Sequence, residues 1–209
     1  MSDLILYTNP QSRGRIVHWM MEELGLPYET VWLDYATTMK APEFHAINPM
    51  GKVPALKHGD VVVTETSAIC AYLADRFPEQ GLAPPDNDLA RANYYRWLFF
   101  AAGPVEQAVT AQSMGWEVPT GKEMSVGFGT FAQTRDVLPL ALEPGPYICG
   151  EQFTAADVYI GANIGWGILF GTIEMQPIYE EYLGSLHARP AYQRAEKIND
   201  DYMKSQAAR

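Results

Sequence analysis

The sequence predicts a chain in two parts: an α/β domain over residues 1–78 and an all-α domain over residues 88–209. Three observations predict this. Before residue 78, short strand-type apolar runs alternate with amphipathic helical stretches. The segment from Pro78 to Asp88 holds Gly81, Pro84 and Pro85 and reads as a linker. Beyond it the strand signals fade and helical stretches follow one another. A chain of 209 residues accommodates one or two domains and buries enough surface to fold without disulfide staples.

The elements follow in order. Leu4 to Tyr7 is a short apolar run that reads as a buried strand, and the polar loop Thr8–Ser12 follows it. Ile16, Trp19, Met20 and Leu24 then fall on one helical face, and Gly25 supplies the C-cap. Tyr28 to Leu33 is rich in aromatic and β-branched residues and reads as a second strand. A less regular stretch leads to Asn48-Pro49-Met50-Gly51. Val53–Leu56 and Val61–Thr64 then form a hairpin around His58-Gly59-Asp60. Glu65 to Phe77 is a second helix, with Ile69, Tyr72, Leu73 and Arg76 at helical spacing. The order β-α-β, β-β-α allows a parallel pair through a right-handed crossover, an added antiparallel hairpin and a covering helix. In the second half, helices are expected over Leu89–Ala102, Glu106–Met114, Met124–Leu142, Ala155–Phe170, Ile178–Ala188 and Ala191–Ala208.

Composition narrows the function classes. Hydrophobic residues make up 47% and charged residues 19%, an ordinary globular balance. With 25 acidic and 15 basic residues the net charge is −10. Such a chain lacks the basic footprint that non-specific nucleic-acid binding requires, and it is a poor partner for an anionic membrane. The acidity is uneven. Residues 1–78 carry six basic and nine acidic side chains, residues 79–209 nine and sixteen. Cys70 and Cys149 form no CxxC and join no His/Cys cluster, so neither a zinc site nor a disulfide framework is expected. The first residues lack a basic n-region and a long apolar h-region, and no apolar stretch approaches the ~20 residues of a membrane span. A reducing cytoplasm is the expected compartment.

Three local features point to one place. Gly51-Lys52-Val53-Pro54-Ala55 brings a loop into a strand at a proline. A trans proline opening the strand is the commoner outcome for such a pentapeptide, cis being ~5% of X-Pro bonds. A cis bond would turn the backbone of Val53 outward as a strand edge for a peptide ligand. Glu65-Thr66-Ser67 opens a helix whose first N–H groups can hold a carboxylate, while Glu65 accepts from an ammonium group; a plain N-cap reads from the same residues. Tyr7 and the loop through Ser12 and Arg13 offer hydroxyls and a cation, with Ser12 also readable as an N-cap.

These residues resemble those of the cytosolic glutathione S-transferase superfamily, and the resemblance runs along essentially the whole chain. It rests on Pro10-Gln11-Ser12-Arg13, Glu22-Glu23-Leu24-Gly25-Leu26-Pro27-Tyr28-Glu29, Asn48 to Leu56, Glu65-Thr66-Ser67-Ala68-Ile69 and Phe153-Thr154-Ala155-Ala156-Asp157, in this order and spacing. It implies a thioredoxin-like first domain, an all-helical second domain, a homodimer, and glutathione as co-substrate with no metal. It further implies a cis bond before Pro54, with Val53 pairing its backbone to the cysteinyl part of glutathione. Glu65 and Thr66 would hold the γ-glutamyl end. Lys52 would lie near the glycyl carboxylate, with Lys40 the alternative there. Thr154 and Asp157 also read from their spacing alone as a capping box, so Asp157 is structural and not a catalytic acid.

The chemistry sets a requirement. A free thiol near pKa 8.5 is only ~3% ionised at pH 7, yet the thiolate is the nucleophile. A hydroxyl donating to sulfur favours the charged form, and a guanidinium such as Arg13 helps. Ser12 and Tyr7 compete for that role. The form Pro10-Gln11-Ser12-Arg13 resembles the bacterial, serine-using (theta- or beta-like) members and favours Ser12. Tyr7 sits where tyrosine-using members place theirs. No cysteine occurs in this loop, which disfavours the branch that uses one. The second substrate would lie between the domains, and Tyr94, Tyr95, Trp97, Phe99 and Phe100 suggest an apolar or aromatic electrophile; Met114, Trp116 and Trp166 are further candidates. Residues four apart share a helix face, so some of these aromatics must be core. The expected activity is glutathione transfer to an electrophile. The competitors are a glutathione-dependent isomerase, reductive dehalogenase or peroxidase, and a non-catalytic binding or regulatory protein of the same fold.

Overall fold

In the computed structural model, which describes residues 3–208, β1 (Leu4–Thr8) lies inside a four-stranded sheet. Met1 and Ser2, where the segment read for a leader begins, and Arg209 lie outside the described residues. On one side of β1 lies β2 (Glu29–Trp32), parallel to it and reached through α1 (Gly14–Leu24). On the other lie β3 (Ala55–His58) and then β4 (Val61–Thr64), both antiparallel pairings. Leu4, Leu6 and Thr8 are buried while Ile5 and Tyr7 are half-buried, as the two-residue period of a strand requires. α3 (Thr66–Arg76) packs on β3 and β4 and against α1. A short helix, α2 (Pro42–His45), forms in the stretch that the sequence leaves irregular.

The chain divides into two compact units. One ends at Gln80 and includes the stretch from His187 onward; the other spans Gly81–Leu186. The sequence pattern groups the last helix, α9 (Pro190–Ala207), with the helical half, whereas its contacts group it with the sheet. The reason is a ladder of charges along α1. Arg189 holds Glu23 in two bonds of 2.7 and 2.8 Å, Arg194 holds Glu22 at 2.7 Å, and Arg15 reaches Glu196. The Trp19 ring also meets Tyr192 edge-on at 5.0 Å. α1 is therefore covered on both sides. Besides its predicted apolar face it buries Val17, His18 and Met21.

The second unit holds α4 (Ala90–Phe100), a π-type turn over Ala101–Val105, α5 (Glu106–Met114), α6 (Phe131–Val137), α7 (Ala155–Leu169) and most of α8 (Pro177–His187). Two sequence expectations need correction. The helix expected over Met124–Leu142 is broken. Gly129 at φ 62 ends one turn, Thr130 and Gln133 open α6 with a capping box, and the chain closes in a 3-10 turn carrying Pro139. The strand expected from Val53 begins instead at Ala55, because Pro54 has no N–H to give the ladder. The cap at Thr154 forms as read. Asp157 accepts from the backbone N–H of Thr154 at 2.8 Å, and the Ala156 N–H reaches Thr154 Oγ1 at 3.3 Å.

Candidate functional site

Strand register brings the three local features to one edge of the sheet. Tyr7 pairs with Ala55, Ala55 with Thr64, and Thr8 with Trp32. The ends of β1, β2 and β4 and the start of β3 therefore stand in one row. From that row leave the loop carrying Ser12 and Arg13, the Val53–Pro54 segment and the Glu65–Thr66 corner. Strands spaced just under 5 Å apart put all three within about 10 Å along the row.

Two Asn-Pro pairs build the loops. Asn9 is buried; its Oδ1 accepts from the Gln11 N–H at 2.9 Å and its Nδ2 donates to Leu33 O at 2.7 Å. Asn48, also buried, does the same one loop further on, accepting from the Met50 N–H at 3.1 Å and donating to Lys52 O at 2.7 Å. Each is an Asx-turn locked to a neighbouring carbonyl. The sequence reading gives neither asparagine a role of its own, although an Asn-Pro dipeptide is a turn signal.

At the start of α1, Ser12 Oγ donates to Asn9 O at 2.7 Å and accepts from the Gly14 N–H at 3.0 Å. Arg13 is exposed beside it. Arg15 is directed elsewhere. Its Nε donates to Pro10 O at 2.7 Å, and its two other nitrogens bind Glu196 at 2.7 Å and Asp200 at 2.5 Å. Burial works against its charge, but the two carboxylates outweigh it and raise its pKa. Tyr7 leaves β1 on the face opposite Thr8, half-buried, its ring 5.8 Å from Phe44 and packed on the Leu33–Met39–Phe44–Ala55 cluster.

The second loop carries Lys52 and Val53. Lys52 is exposed, whereas Lys40 ties Gly51 O at 2.8 Å and so braces the loop. Gly51 sits at φ 57, and a Cβ there would meet His45 Cε1 at 2.8 Å and Met39 O at 2.9 Å, so only glycine fits. The Val53–Pro54 bond is cis, as the resemblance implies and against the commoner trans outcome of the pentapeptide alone, and Val53 stands just outside the paired register.

Glu65 is the sharpest local feature. Among the described residues it is the one non-glycine with positive φ, at φ 67 and ψ 122. Its side chain is exposed and makes no cap bond to the helix that starts after it, while Thr66 is buried. Backbone strain of this kind costs on the order of 1–3 kcal/mol and persists only where both flanks enforce it, here β4 and α3. The helix start is left with a carboxylate beside it and no side-chain acceptor of its own from the N-cap residue. The row thus offers a stretch of backbone outside the strand register, one helix start beside a carboxylate, a second beside a hydroxyl, and exposed cations. Among the described residues no group of three His, Cys, Asp or Glu side chains is placed to hold a metal ion.

Residues 12–76 match the family model described as glutathione S-transferase, N-terminal domain. Glutathione S-transferase Z2 of Arabidopsis thaliana is 30% identical over 180 residues, covering 82% of this chain and 80% of the relative. The chain belongs to the glutathione S-transferase family. Among solved structures, a glutathione transferase from Methylococcus capsulatus matches at 31% identity and a TM-score of 0.78, covering 94% of this chain and 98% of that one. A glutathione transferase homologue from Sulfitobacter with bound glutathione matches at 28% identity and a TM-score of 0.75, again over 94% and 98%. The thioredoxin-like sheet unit and the helical unit are those of the glutathione S-transferase fold.

In the helical unit of this glutathione S-transferase, α4 sorts its aromatics by face. Tyr94 and Trp97 are buried core, Tyr95 and Phe99 are exposed, and Phe100 meets Trp97 edge-on at 5.5 Å. Arg96 lies over the Trp97 ring at 4.5 Å. Met114 and Trp116 are exposed and Trp166 is half-buried. Both cysteines are free, and burial pushes the Cys70 thiol up to about 12 and the Cys149 thiol up to about 11, so neither is a ready thiolate.

Proposed function

We propose that the chain binds glutathione along the row at the sheet edge and activates its thiol as a thiolate for attack on an apolar or aromatic electrophile. The observation that carries this reading is Glu65, strained and exposed at an uncapped helix start. The γ-glutamyl ammonium meets the Glu65 carboxylate, and the α-carboxylate meets the first N–H groups of α3 and the Thr66 hydroxyl. Val53 pairs its backbone with the cysteinyl residue, beside Pro54. Lys52 faces the glycyl carboxylate, and Arg13 adds a cation near the sulfur.

Ser12 is the activator in this reading. Its hydroxyl turns from Asn9 O toward the sulfur without leaving a polar group unmatched. Asn9 O also accepts the Ser12 backbone N–H at 3.1 Å, and Oγ keeps the Gly14 N–H. The thiol proton leaves to solvent. The sulfur lone pair then forms the new bond to the electrophilic carbon as the leaving group departs with its electron pair. Tyr7, packed against Phe44, is the competing hydroxyl. Two free thiols fit a reducing cytoplasm, and a homodimer follows from the family. No helix of the described residues is long and apolar enough to cross a membrane.

Calorimetric titration with glutathione, followed by thiolate absorbance of the complex across pH, tests the reading. Binding at millimolar concentration or tighter, with a thiol pKa raised by Ser12→Ala and not by Tyr7→Phe, supports it. No binding, or the reverse pattern, rejects it.

A further inference from the structure

We infer that Arg15 is a positioning residue for the thiol-activating hydroxyl, and that two carboxylates of the C-terminal helix, Glu196 and Asp200, set it. The inference rests on the Ser12 reading above.

Three consecutive carbonyls shape the loop that carries Ser12. Asn9 O takes the Ser12 hydroxyl and N–H, Gln11 O takes the Tyr35 hydroxyl at 3.0 Å, and Pro10 O takes Arg15 Nε at 2.7 Å. The Arg15 tie alone among these is bound onward through ion pairs. Its other nitrogens reach Glu196 at 2.7 Å and Asp200 at 2.5 Å, residues one turn apart on α9. A guanidinium is a rigid planar fork, so fixing two of its nitrogens on α9 fixes where the third presents its N–H. Pro10 O is thereby held in register with α9, and Ser12 follows two residues later. A hydroxyl that must meet a sulfur within a few tenths of an ångström depends on such a frame.

Charge alone does not give Arg15 this role, because two carboxylates offset its one positive charge. The two mechanisms predict opposite signs for one variant. Removing both carboxylates in Glu196→Gln/Asp200→Asn leaves an uncompensated cation near the loop. A purely electrostatic Arg15 would then lower the thiol pKa. A positioning Arg15 loses its frame, and the pKa rises.

The experiment is thiolate absorbance of the glutathione complex across pH, with affinity for S-methylglutathione measured alongside as a control for the rest of the site. Arg15→Lys, which keeps the charge but not the fork, is expected to raise the thiol pKa by about half a unit to one unit, up to tenfold less thiolate at neutral pH. The α9 double variant shifts it the same way. S-methylglutathione affinity stays within about twofold of wild type in both, since it reports the γ-glutamyl contacts. In a Ser12→Ala background both shifts disappear. An unchanged pKa in Arg15→Lys, a lowered one in the double variant, or shifts that persist without Ser12 would each overturn the inference. If Ser12→Ala alone leaves the thiol pKa at the wild-type value, the Ser12 reading itself fails, which is a different result from Arg15 failing beside an active Ser12.

Discussion

Two helix starts in this molecule are built on opposite plans. α7 opens on Thr154, fully buried, with every nearby donor matched. Asp157 accepts from the N–H groups of Thr154 and Ile148 at 2.8 and 2.9 Å, and from the hydroxyls of Tyr182 and Thr154 at 3.0 and 3.1 Å. α3 opens on Glu65, exposed, in a backbone conformation that L-residues avoid, with no side-chain cap. Both are helix N-termini with an acidic residue close by, and the macrodipole favours both. What differs is whether the donors find partners inside the protein. The closed start serves stability; in the proposed reading the open, strained one leaves its donors for a ligand. A carboxylate near a helix start is thus evidence of function only when its local hydrogen bonding is incomplete.

The largest expected effect is on the closed start. Asp157→Ala strands four donors, two of them buried backbone N–H groups, and should lower unfolding free energy by about 3–5 kcal/mol in urea titrations. Glutathione affinity of the folded fraction should not change, and a large affinity loss would blur the contrast between the two starts. Next comes pH. Burial pushes the Asp157 carboxyl up to about 6 despite its four donors, so ionising it costs the folded state as pH rises from about 4 to 6. The stability of Asp157→Asn relative to wild type should therefore improve by about 3 kcal/mol across that window. His18 gives the opposite slope in the sheet unit. It is buried between Thr30 and Asn199 at 3.2 Å each, and burial lowers its pKa to about 4. Below the ordinary histidine value near 6.5 the unfolded chain takes up the proton first. The stability His18 contributes is thus present at neutral pH and lost as pH falls toward 4. His18→Gln should flatten this loss, also about 3 kcal/mol, in matched denaturation curves. Smaller still is Ser12→Ala. It should raise the bound thiol pKa by about one unit, roughly 1.4 kcal/mol, while stability drops by about 1 kcal/mol or less for the lost bonds to Asn9 O and the Gly14 N–H.

The sequence carried the closed start almost completely and the open one only in part. Thr154 and Asp157 stand at capping-box spacing, which is local. The Ile148 and Tyr182 bonds to Asp157 were not legible, because they come from a loop and a helix brought in by tertiary packing. Glu65 was visible as a helix-start acid, but its positive φ was not, since no turn residue advertises it. The site's loops were readable only as a polar loop over Thr8–Ser12 and a less regular stretch up to Asn48-Pro49, because the reach of each asparagine amide to Leu33 O and Lys52 O depends on the fold. The order of α1, β1 and the β3–β4 hairpin followed from periodicity. The pairing of α9 with α1 did not, because it rests on charge pairs more than 160 residues apart. The helix expected over Met124–Leu142 failed for a local reason: apolar spacing continued across Gly127 and Gly129, and it outweighed the two glycines.

The central claim, that strain at Glu65 is maintained for glutathione, is tested most directly by Glu65→Gly, read in parallel by urea unfolding and by glutathione calorimetry. Glycine accepts φ 67 without strain, so unfolding free energy should stay level or rise by about 1 kcal/mol, while glutathione affinity falls at least tenfold with the lost carboxylate. Unchanged affinity, or a drop in stability of several kcal/mol, would contradict it and return Glu65 to an ordinary helix start.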